Sequence, residues 1–550
     1  MFEQELLSIV KKISPLAALQ TPPDDSFGDY SMACFFLAKE MKKSPVKIAE
    51  ELASSIKKPD FVERIESKNG YVNFFLKKET IAETVLSRII SEKNNYGHSN
   101  AGKGKTIVID YSHPNVAKPF GIGHLRSTVI GNALVKMLQA TGYKVVRLNY
   151  LGDWGTPFGK YIEAFKLWGS QKELEANPIK HLYELYVKYN KEAEENEQFQ
   201  EKARNWFKKL EEGDKDALKL WKLFREVSLK EFMRIYKILG VDFDSYDGEY
   251  SMKDNVDGII KLLEKKGLTK IDKGALIVEL EGTPLMLRKS DEASTYASRD
   301  LAAIKHRIES LKADILLYIV GNEQALHFQQ VFNVAKKLNF KQKMEHIKFG
   351  LYLDSSGKKM ATRKGTLIML DQVLNETIAL ALRLIKEKNP ELKNKEQTAN
   401  DVGVGAVIFG DLVNDRIKDV VFDWEKIVQF EGDTGPYLQY THARACNILA
   451  KASPGKPDFS QLKEDIEKHL IIVLSKYPEI VAHAVTDYKP HILAQYLLET
   501  GHAFNEFYHA CPVIKADENI KNARLHLVKA ASIVLSNGLG LLGIKAPAEM

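Results

Sequence analysis

The chain has 550 residues, of which 44% are hydrophobic and 28% charged, a balance that excludes wholesale disorder and is typical of a folded globular protein. This length exceeds what one core normally supports and predicts about three domains. There are 79 basic against 73 acidic residues, giving a net charge of +6. This mild excess permits a polyanionic partner without requiring one.

The cysteines and the apolar runs define the expected class of protein. Cys34, Cys446 and Cys511 lie far apart and provide neither a disulfide framework nor the ligand spacing of a structural zinc site. No apolar run approaches the roughly 20 residues of a membrane span, and the start, MFEQELLSIVKK, does not resemble a secretory signal. We therefore expect a cytoplasmic enzyme with no protein-bound metal and no membrane partner.

The first 100 residues mix helical and strand patterns. Phe2, Leu6 and Val10 recur near helical spacing, and residues 71–76 form an apolar run that predicts a strand. Residues 94–104 are rich in glycine and asparagine, which is typical of a linker. The sequence thus predicts a small α+β domain over residues 1–100.

Residues 101–371 have the pattern of an α/β domain. Short apolar runs predict strands at 106–110, 145–149, 277–280 and 316–320. An apolar helical pattern at 129–138 separates the first two, so strand, helix and strand follow within about 45 residues, as in the βαβ unit of a parallel sheet. We predict a Rossmann-type catalytic domain built on a parallel sheet.

Two helical regions complete the predicted architecture. An insertion near 160–250 is rich in lysine and glutamate, and we interpret it as a helical hairpin with a solvated charged face; a nucleic-acid-binding arm is the alternative. From 372 to 550 helix follows helix, which predicts an all-α bundle. The fold class is therefore multidomain α/β, with a small domain before the catalytic domain and a helical bundle after it.

The most informative motif, SHPNVAKPFGIGHLRS at 112–127, lies where the first strand of the sheet ends and its helix begins. Exposed N–H groups and the helix dipole make such a place attractive to anions. Gly121 and Gly123 would let a base or phosphate approach the main chain. His124 could donate to a phosphate, and Lys118 could neutralise one. A G-x-G-H alone more often marks a tight turn.

A second basic segment, DSSGKKMATRKG, occupies residues 354–365. Its glycines bracket four cations, at Lys358, Lys359, Arg363 and Lys364. A cationic loop of this kind can close over a triphosphate and offset the charge that develops as pyrophosphate leaves. Taken alone, such a segment is more often a solvated surface loop.

Together, 114–124 and 358–365 resemble the two signatures of class I aminoacyl-tRNA synthetases. Five motifs resemble the arginyl-tRNA synthetase in particular: PNVAKPFGIGHLRSTVIGNAL, NYLGDWGTPFG, YASRDLAA, GNEQALHFQQVF and EGDTGPYLQYTHARACNIL. The early run FGDYSMACFFLAKEMKKSP is similar to that family's N-terminal domain. The resemblance extends from about residue 20 to the end, with the insertion poorly matched.

The resemblance implies an arginine–tRNA ligase. Such an enzyme activates L-arginine with ATP and Mg²⁺ to arginyl-adenylate, releases pyrophosphate and transfers arginine to the 3′-terminal adenosine of tRNA(Arg). It further implies that adenylate forms only with tRNA bound, that residues 1–100 contact the tRNA D-loop and that residues 372–550 bind the anticodon. We expect a monomer in the cytoplasm.

The resemblance also implies site residues by position. The catalytic residues are Lys118, His124 and Lys359, and the ATP-binding residues are Gly121, Gly123, His124, Lys359 and Met360. The arginine-binding residues are Asp110, His113, Asn115, Tyr296, Asp300 and Gln324, and the tRNA-binding residues are Tyr71, Asn73, Tyr508 and Met550.

Physical chemistry agrees with these residue types. A guanidinium asks for carboxylates placed for paired hydrogen bonds, and a tyrosine ring can pack along its aliphatic stem. Unstacked bases accept aromatic and thioether partners. For each residue taken alone, an ordinary structural role is the alternative.

Two departures from the family pattern leave alternatives open. Gly121 stands where the family commonly has histidine, and Thr362 stands where the second signature usually has its second lysine. The resemblance implies that Lys118 then takes over part of the charge work. One alternative is another enzyme of the fold, such as a nucleotidylyltransferase or the cysteinyl synthetase, which would need a zinc site. The other is an RNA-binding paralogue that has lost catalysis.

Overall fold

The structure is a computed structural model that describes residues 2–20, 22, 24–353, 357, 369–421 and 423–550. Its first part is a small antiparallel sheet, ordered β1-β3-β2, with helices around it. The elements are α1 (Phe2–Lys11), β1 (Tyr30–Ala33), α2 (Ala38–Met41), α3 (Pro45–Ser55), β2 (Val62–Lys68), β3 (Tyr71–Leu76) and α4 (Lys78–Glu92). The strand predicted at 71–76 is confirmed.

The central part begins with the predicted strand–helix–strand unit and continues into the insertion. The elements are β4 (Thr106–Asp110), α5 (Gly123–Ala140), β5 (Lys144–Leu148), α6 (Thr156–Trp168), α7 (Gln171–Ala176), α8 (Pro178–Glu195), α9 (Glu197–Glu211) and α10 (Lys215–Leu239). The insertion is therefore larger than the predicted hairpin. Its aromatic side chains pack between helices, as Tyr161 does on Tyr186 and Phe165 on Phe224, and this gives the insertion a core that two helices alone would not enclose.

The central part then returns to the sheet. The elements are α11 (Val256–Lys265), β6 (Thr269–Asp272), β7 (Ala275–Val278), β8 (Leu285–Arg288), α12 (Tyr296–Glu309), β9 (Ile315–Tyr318), α13 (Ala325–Lys337), β10 (Lys343–His346) and β11 (Tyr352–Leu353). The strands β6, β7 and β8 form a separate antiparallel sheet. The strand predicted at 277–280 belongs to this sheet, as β7, and not to the parallel one.

The parallel sheet has the strand order β10-β9-β4-β5. Successive residues of a strand point to opposite faces, so Ile107 and Ile109 enter one buried cluster while Val108 joins Leu316 in another. Helices cover both faces, as expected of a Rossmann-type fold. All four strands end at the same edge, and the motifs of the sequence follow those ends.

The rest of the described chain is almost entirely helical. Its elements are α14 (Leu370–Lys388), α15 (Lys395–Leu412), β12 (Val420–Val421), α16 (Trp424–Ile427), α17 (Gly435–Lys451), α18 (Asp465–Ser475), α19 (Tyr477–Thr486), α20 (Pro490–Ala510) and α21 (Glu518–Leu541). The predicted helical bundle is confirmed. Among the helices that the structure describes, none is long and apolar enough to cross a membrane.

The N-terminal part packs on this helical part. Lys78 Nζ lies 2.7 Å from Asp465 Oδ1, and Lys468 Nζ lies 2.7 Å from Asp29 Oδ2. Tyr96 follows α4, and its hydroxyl donates to the carbonyl of Leu474 at 3.1 Å. The two outer parts of the chain therefore contact each other as well as the parallel-sheet domain between them.

Candidate active site

The turn after β4 has an unusual backbone. Ser112 (φ 81°), His113 (φ 52°) and Ala117 (φ 62°) all lie in the left-handed region, which side chains other than glycine rarely adopt. The Ser112 N–H donates to Ser127 Oγ at 2.9 Å, and its hydroxyl lies 2.7 Å from the Tyr236 hydroxyl. Such strain persists where surrounding contacts enforce it and often marks a functional site.

The insertion supplies part of that support. The Ala117 N–H donates to Ser228 Oγ at 2.9 Å, and both Ser228 and Tyr236 lie on α10. Sequence reasoning missed these residues because the insertion was interpreted as a charged hairpin. The buried serine and tyrosine on one side of the last predicted helix were the signal that could have found them.

Two predicted phosphate-binding side chains lie near the start of α5, His124 in its first turn and Lys118 in the turn before it. Burial lowers the pKa of His124 to about 4, with smaller contributions from His113 and Lys118, so the imidazole is neutral near pH 7. Its Nδ1 is buried and has no hydrogen-bond partner among the described residues. Burial also lowers the pKa of Lys118, whose Nζ lies 5.4 Å from the Tyr186 ring centroid. No carboxylate in the described part of the chain forms an ion pair with Lys118.

The two glycines of this motif differ in exposure. Gly123 begins α5 and is exposed, and a Cβ built there would meet no atom within 4 Å. Gly121 is buried and bridges to Met369, while the Leu370 N–H donates to the Phe120 carbonyl at 2.9 Å. The chain that follows the second signature therefore lies against the first. The predicted residues Lys359 and Met360 lie outside the described residues.

Asp110, at the end of β4, is buried beside an arginine. Its Oδ2 accepts from Arg307 Nη2 at 2.6 Å, and both side chains are almost fully buried. Its Oδ1 accepts from the Tyr150 N–H at 3.3 Å and lies 3.4 Å from His113 Nδ1. Direct binding of substrate by Asp110 stays a prediction, and its charge is already matched within the protein. His113 Nε2 is buried and unpartnered among the described residues.

Asp300, on α12, lies close to another carboxylate, that of Glu249. Its Oδ2 is 2.6 Å from His327 Nε2, and its side chain is 25% exposed. Nearby Glu249 forms a buried ion pair with Arg299 at 3.0 Å. Burial raises the pKa of Glu249 above its ordinary value; Arg299 opposes the rise, and Asp300 adds to it. Sequence reasoning missed Glu249, since its burial and its arginine partner become visible only in the fold.

The remaining predicted arginine-binding residues are exposed around the same edge. Tyr296 is 59% exposed with the Arg299 guanidinium 4.8 Å from its ring, and Asn115 and Gln324 are also exposed. Asn115 depends on the glycine opposite it, because a Cβ at Gly152 would lie 2.3 Å from Asn115 Oδ1. Glycine at this position therefore makes room for the amide.

Tyr71 and Asn73 line a pocket of about 220 Å³ at the N-terminal sheet. Gln20 and Lys68 contribute to its wall, and the Lys68 ammonium lies 4.3 Å from the Phe27 ring centroid. An aromatic ring, an amide and a cation around one cavity are groups that can stack on and hydrogen-bond to a flat base. Their role in binding tRNA stays a prediction.

The two residues predicted to contact the anticodon have different surroundings. Tyr508, on α20, is 39% exposed, and the Arg444 guanidinium lies 4.9 Å from its ring and 5.0 Å from that of Tyr440. Met550 packs against an apolar cluster between α14 and α15, and its carbonyl accepts from Asn389 at 3.1 Å. Arg444 and Tyr440 were missed because their neighbour Tyr508 lies on a different helix.

Within the described residues, no group of three or more His, Cys, Asp or Glu side chains is placed to hold a metal ion.

Three models of known families match the chain. They are "tRNA synthetases class I (R), catalytic domain" at residues 85–424, "DALR anticodon binding domain" at 438–550 and "Arginyl tRNA synthetase N terminal domain" at 1–76.

Relatives with curated names and a solved structure agree with those matches. The arginine–tRNA ligase 1 of Bacillus thuringiensis subsp. konkukian is 46% identical over 542 residues, which cover 97% of this chain and 96% of the relative. The arginine–tRNA ligase of Clostridioides difficile is 44% identical over 542 residues, with 97% and 96% covered. The solved arginyl-tRNA synthetase of Thermus thermophilus is 27% identical, with a TM-score of 0.86, covering 100% of this chain and 99% of that one.

Proposed function

The chain belongs to the arginyl-tRNA synthetase family, and from that premise we propose how its own residues carry out the reaction. It is a class I aminoacyl-tRNA synthetase, an arginine–tRNA ligase, and its substrates are arginine, tRNA and ATP, the last generally with Mg²⁺. The observation that carries the proposal is that the turn after β4 and the carboxylates of Asp110, Asp300 and Glu249 lie together around Tyr150 at one edge of the sheet.

In the first step, the α-carboxylate of arginine attacks the α-phosphorus of ATP. A bond forms between a carboxylate oxygen and the α-phosphorus, the bond from that phosphorus to the pyrophosphate oxygen breaks, and no proton needs to move. Catalysis is therefore positioning and electrostatic stabilisation. Lys118 supplies positive charge to the phosphates, the neutral His124 donates a hydrogen bond, and Gly123 lets the nucleotide approach the main chain. We assign Lys359, Met360 and Gly121 to the same nucleotide site by their positions in the family motifs.

Asp300 is proposed as the direct partner of the substrate guanidinium, with Tyr296 along the aliphatic stem. Asn115 and Gln324 would hold the α-amino and α-carboxylate groups. Asp110 acts through its ion pair with Arg307 and through His113, which the strained turn holds at the same edge. The pair of Asp110 with a buried arginine supports a positioning role for this carboxylate.

In the second step, the terminal ribose hydroxyl of tRNA attacks the arginyl carbonyl. An ester C–O bond forms, the C–O bond to the phosphate of AMP breaks, and the departing phosphate can accept the hydroxyl proton. The pocket at Tyr71 and Asn73 has a volume that suits one base, which supports contact with the D-loop. Tyr508, with Arg444 and Tyr440 beside it, offers a stacking surface for an anticodon base. For Met550 we propose that this residue contacts the tRNA while its side chain stays packed in the apolar cluster between α14 and α15.

We propose that the functional division of the chain follows the predicted domains. We propose residues 1–100 for the D-loop contact, 101–371 for catalysis and 372–550 for the anticodon. We further propose that the enzyme acts as a monomer in the cytoplasm without protein-bound zinc. Sedimentation of the purified protein tests the monomer.

The test is ATP–pyrophosphate exchange by the purified protein with arginine, with and without total tRNA. We expect exchange that requires both arginine and tRNA. Exchange with cysteine, or with no amino acid, would contradict the ligase assignment. Robust exchange with arginine but without tRNA would overturn the proposed tRNA dependence and leave the ligase assignment intact.

A further inference from the structure

Arg126 lies two residues beyond His124 on α5 and is only 1% exposed. Its Nε is 3.0 Å from Oδ2 of Asp411, a carboxylate that is also 1% exposed. Its Nη1 donates to the carbonyl of Lys418 at 2.8 Å, and its Nη2 to that of Arg416 at 3.4 Å. One guanidinium thus joins the phosphate-binding helix to three points near the end of α15.

Asp411 has a second partner. The Tyr352 hydroxyl, on β11, donates to Asp411 Oδ2, and the Arg126 guanidinium also lies 5.6 Å from the Tyr352 ring centroid. Strand β11 pairs in parallel with β12, just beyond the carbonyls that Arg126 binds. The arginine, the carboxylate and the tyrosine therefore form one buried cluster between α5, β11 and α15.

Residues 415–419, which we call the junction segment, continue this connection into the helical part. Arg416 Nε donates to the carbonyl of Tyr488, between α19 and α20, at 3.0 Å. Arg416 Nη1 donates to the carbonyl of Lys348 in the catalytic part at 2.6 Å. The fit is close, because a Cβ at Gly350 would lie 2.6 Å from a carbonyl oxygen of the junction segment.

Such a cluster is a poor device for stability alone. Removing two charges from water costs much of what their attraction returns, and apolar side chains of similar volume often serve equally well. A buried guanidinium with several directed donors instead fixes the relative position of the groups it binds. Here those groups are the turn at His124 and the chain that contacts the C-terminal helices.

We propose that Arg126 is a positioning residue that couples the C-terminal helices to the ATP site. Because Arg126 holds the first turns of α5 in register with the junction segment, tRNA bound to those helices favours the arrangement of His124 and Gly123 that binds ATP. This inference rests on the proposed function and adds to it a route from the tRNA site to the ATP site. Binding of either ligand must then strengthen binding of the other by the same factor.

The experiment measures the dissociation constant of ATP with and without saturating tRNA. Asp411→Asn keeps the shape of the carboxylate and removes its charge, whereas Arg416→Gln cuts the contact with Tyr488 at a partly exposed position. The wild type is expected to bind ATP at least about fivefold more tightly with tRNA present. In both variants this ratio is expected to fall below about twofold, while the dissociation constant of tRNA measured without ATP changes less than about threefold.

Glu467→Gln is the matched control, because Glu467 is fully buried and faces Arg524 at 2.7 Å within the helical part. It removes the same kind of charge from a buried pair that does not touch α5, so its ATP ratio is expected to stay that of the wild type. A wild-type ratio near one, or a ratio kept by Asp411→Asn and Arg416→Gln, would overturn the inference. Because the readout is binding, it decides the coupling even if arginine-dependent exchange fails.

Discussion

Replacing Asp300 by asparagine removes one negative charge from the proposed arginine pocket and keeps the shape of the side chain. The other two carboxylates of this region, Asp110 and Glu249, each form an ion pair with an arginine of the protein. Asp300 is paired with His327 instead, at 2.6 Å. No arginine of the described part of the chain is paired with Asp300, so its charge is the one most available to the substrate guanidinium. The Asp300→Asn variant removes that charge.

The magnitude follows from the exposure of the site. Two unit charges about 4 Å apart attract by about 4 kcal/mol at an effective dielectric constant of about 20. The Asp300 side chain is 25% exposed, so water weakens this attraction, and a charge-assisted hydrogen bond of about 2–4 kcal/mol is the expected loss. This corresponds to a fall of about 30-fold to about 1000-fold in kcat/KM for arginine.

The assay is arginine-dependent ATP–pyrophosphate exchange with tRNA present, with arginine and ATP varied separately. We expect the KM for arginine to rise and the KM for ATP to change little. Asp272→Asn, on the exposed strand β6, removes an equal charge outside the parallel-sheet site and is the control. An unaltered KM for arginine in Asp300→Asn would show that Asp300 is a structural residue.

Three further predictions concern phosphate binding, pH and tRNA. Lys118→Ala is expected to slow adenylate formation at least about tenfold in single-turnover assays, about 1.4 kcal/mol, whereas His113→Ser is expected to cost less than about threefold. The pKa of His124 falls from 6.5 to about 4 on burial, so the folded state binds a proton at this imidazole less well than the unfolded state does. The wild type is therefore expected to lose about 2 kcal/mol of unfolding free energy between pH 7 and pH 5, compared with His124→Asn, and urea unfolding measures this loss. Tyr71→Ala is expected to weaken tRNA binding about tenfold in filter assays, the loss of one stacked base.

Each of these predictions has an outcome that contradicts it. A severe defect in His113→Ser with a mild one in Lys118→Ala would mean that the imidazole at 113 carries the phosphate-binding role. Equal pH dependence in the wild type and His124→Asn would mean that His124 is accessible to protons in the folded state. Unchanged tRNA affinity in Tyr71→Ala would assign Tyr71 to the packing of its sheet, where its ring contacts Phe35 at 5.3 Å.

The pattern of nearby residues was enough to predict the helices and strands, because the spacing of their apolar residues is visible within a short stretch of sequence. The strands at 71–76 and 106–110 have the predicted bounds. Contacts between distant residues could not be predicted in this way. Asp110 and Arg307 are 197 positions apart, and nothing near either residue shows that the carboxylate already has a partner.

The site residues show the same limit. The motif around Lys118 and His124 was visible as a glycine-containing turn between a strand and a helix. Its support by Ser228 and Tyr236 was not, because these side chains act through the fold of a large insertion whose surface is mainly charged. The family resemblance indicated positions, whereas burial and partners, which decide the chemistry of each group, required the structure.

The packing of the two outer parts of the chain has a consequence for synthesis on the ribosome. Asn537 Nδ2, on α21, donates to the carbonyl of Lys93, 444 positions earlier, at 2.9 Å. At roughly 5–20 residues per second, α4 is synthesised about 20 to about 90 seconds before α21. During that interval the face of α4 that bears Ile81, Val85 and Ile89, buried in the finished protein, lacks its lasting neighbours. Until α21 has been synthesised, this apolar face of α4 can associate with other chains. It is covered only when translation is nearly complete.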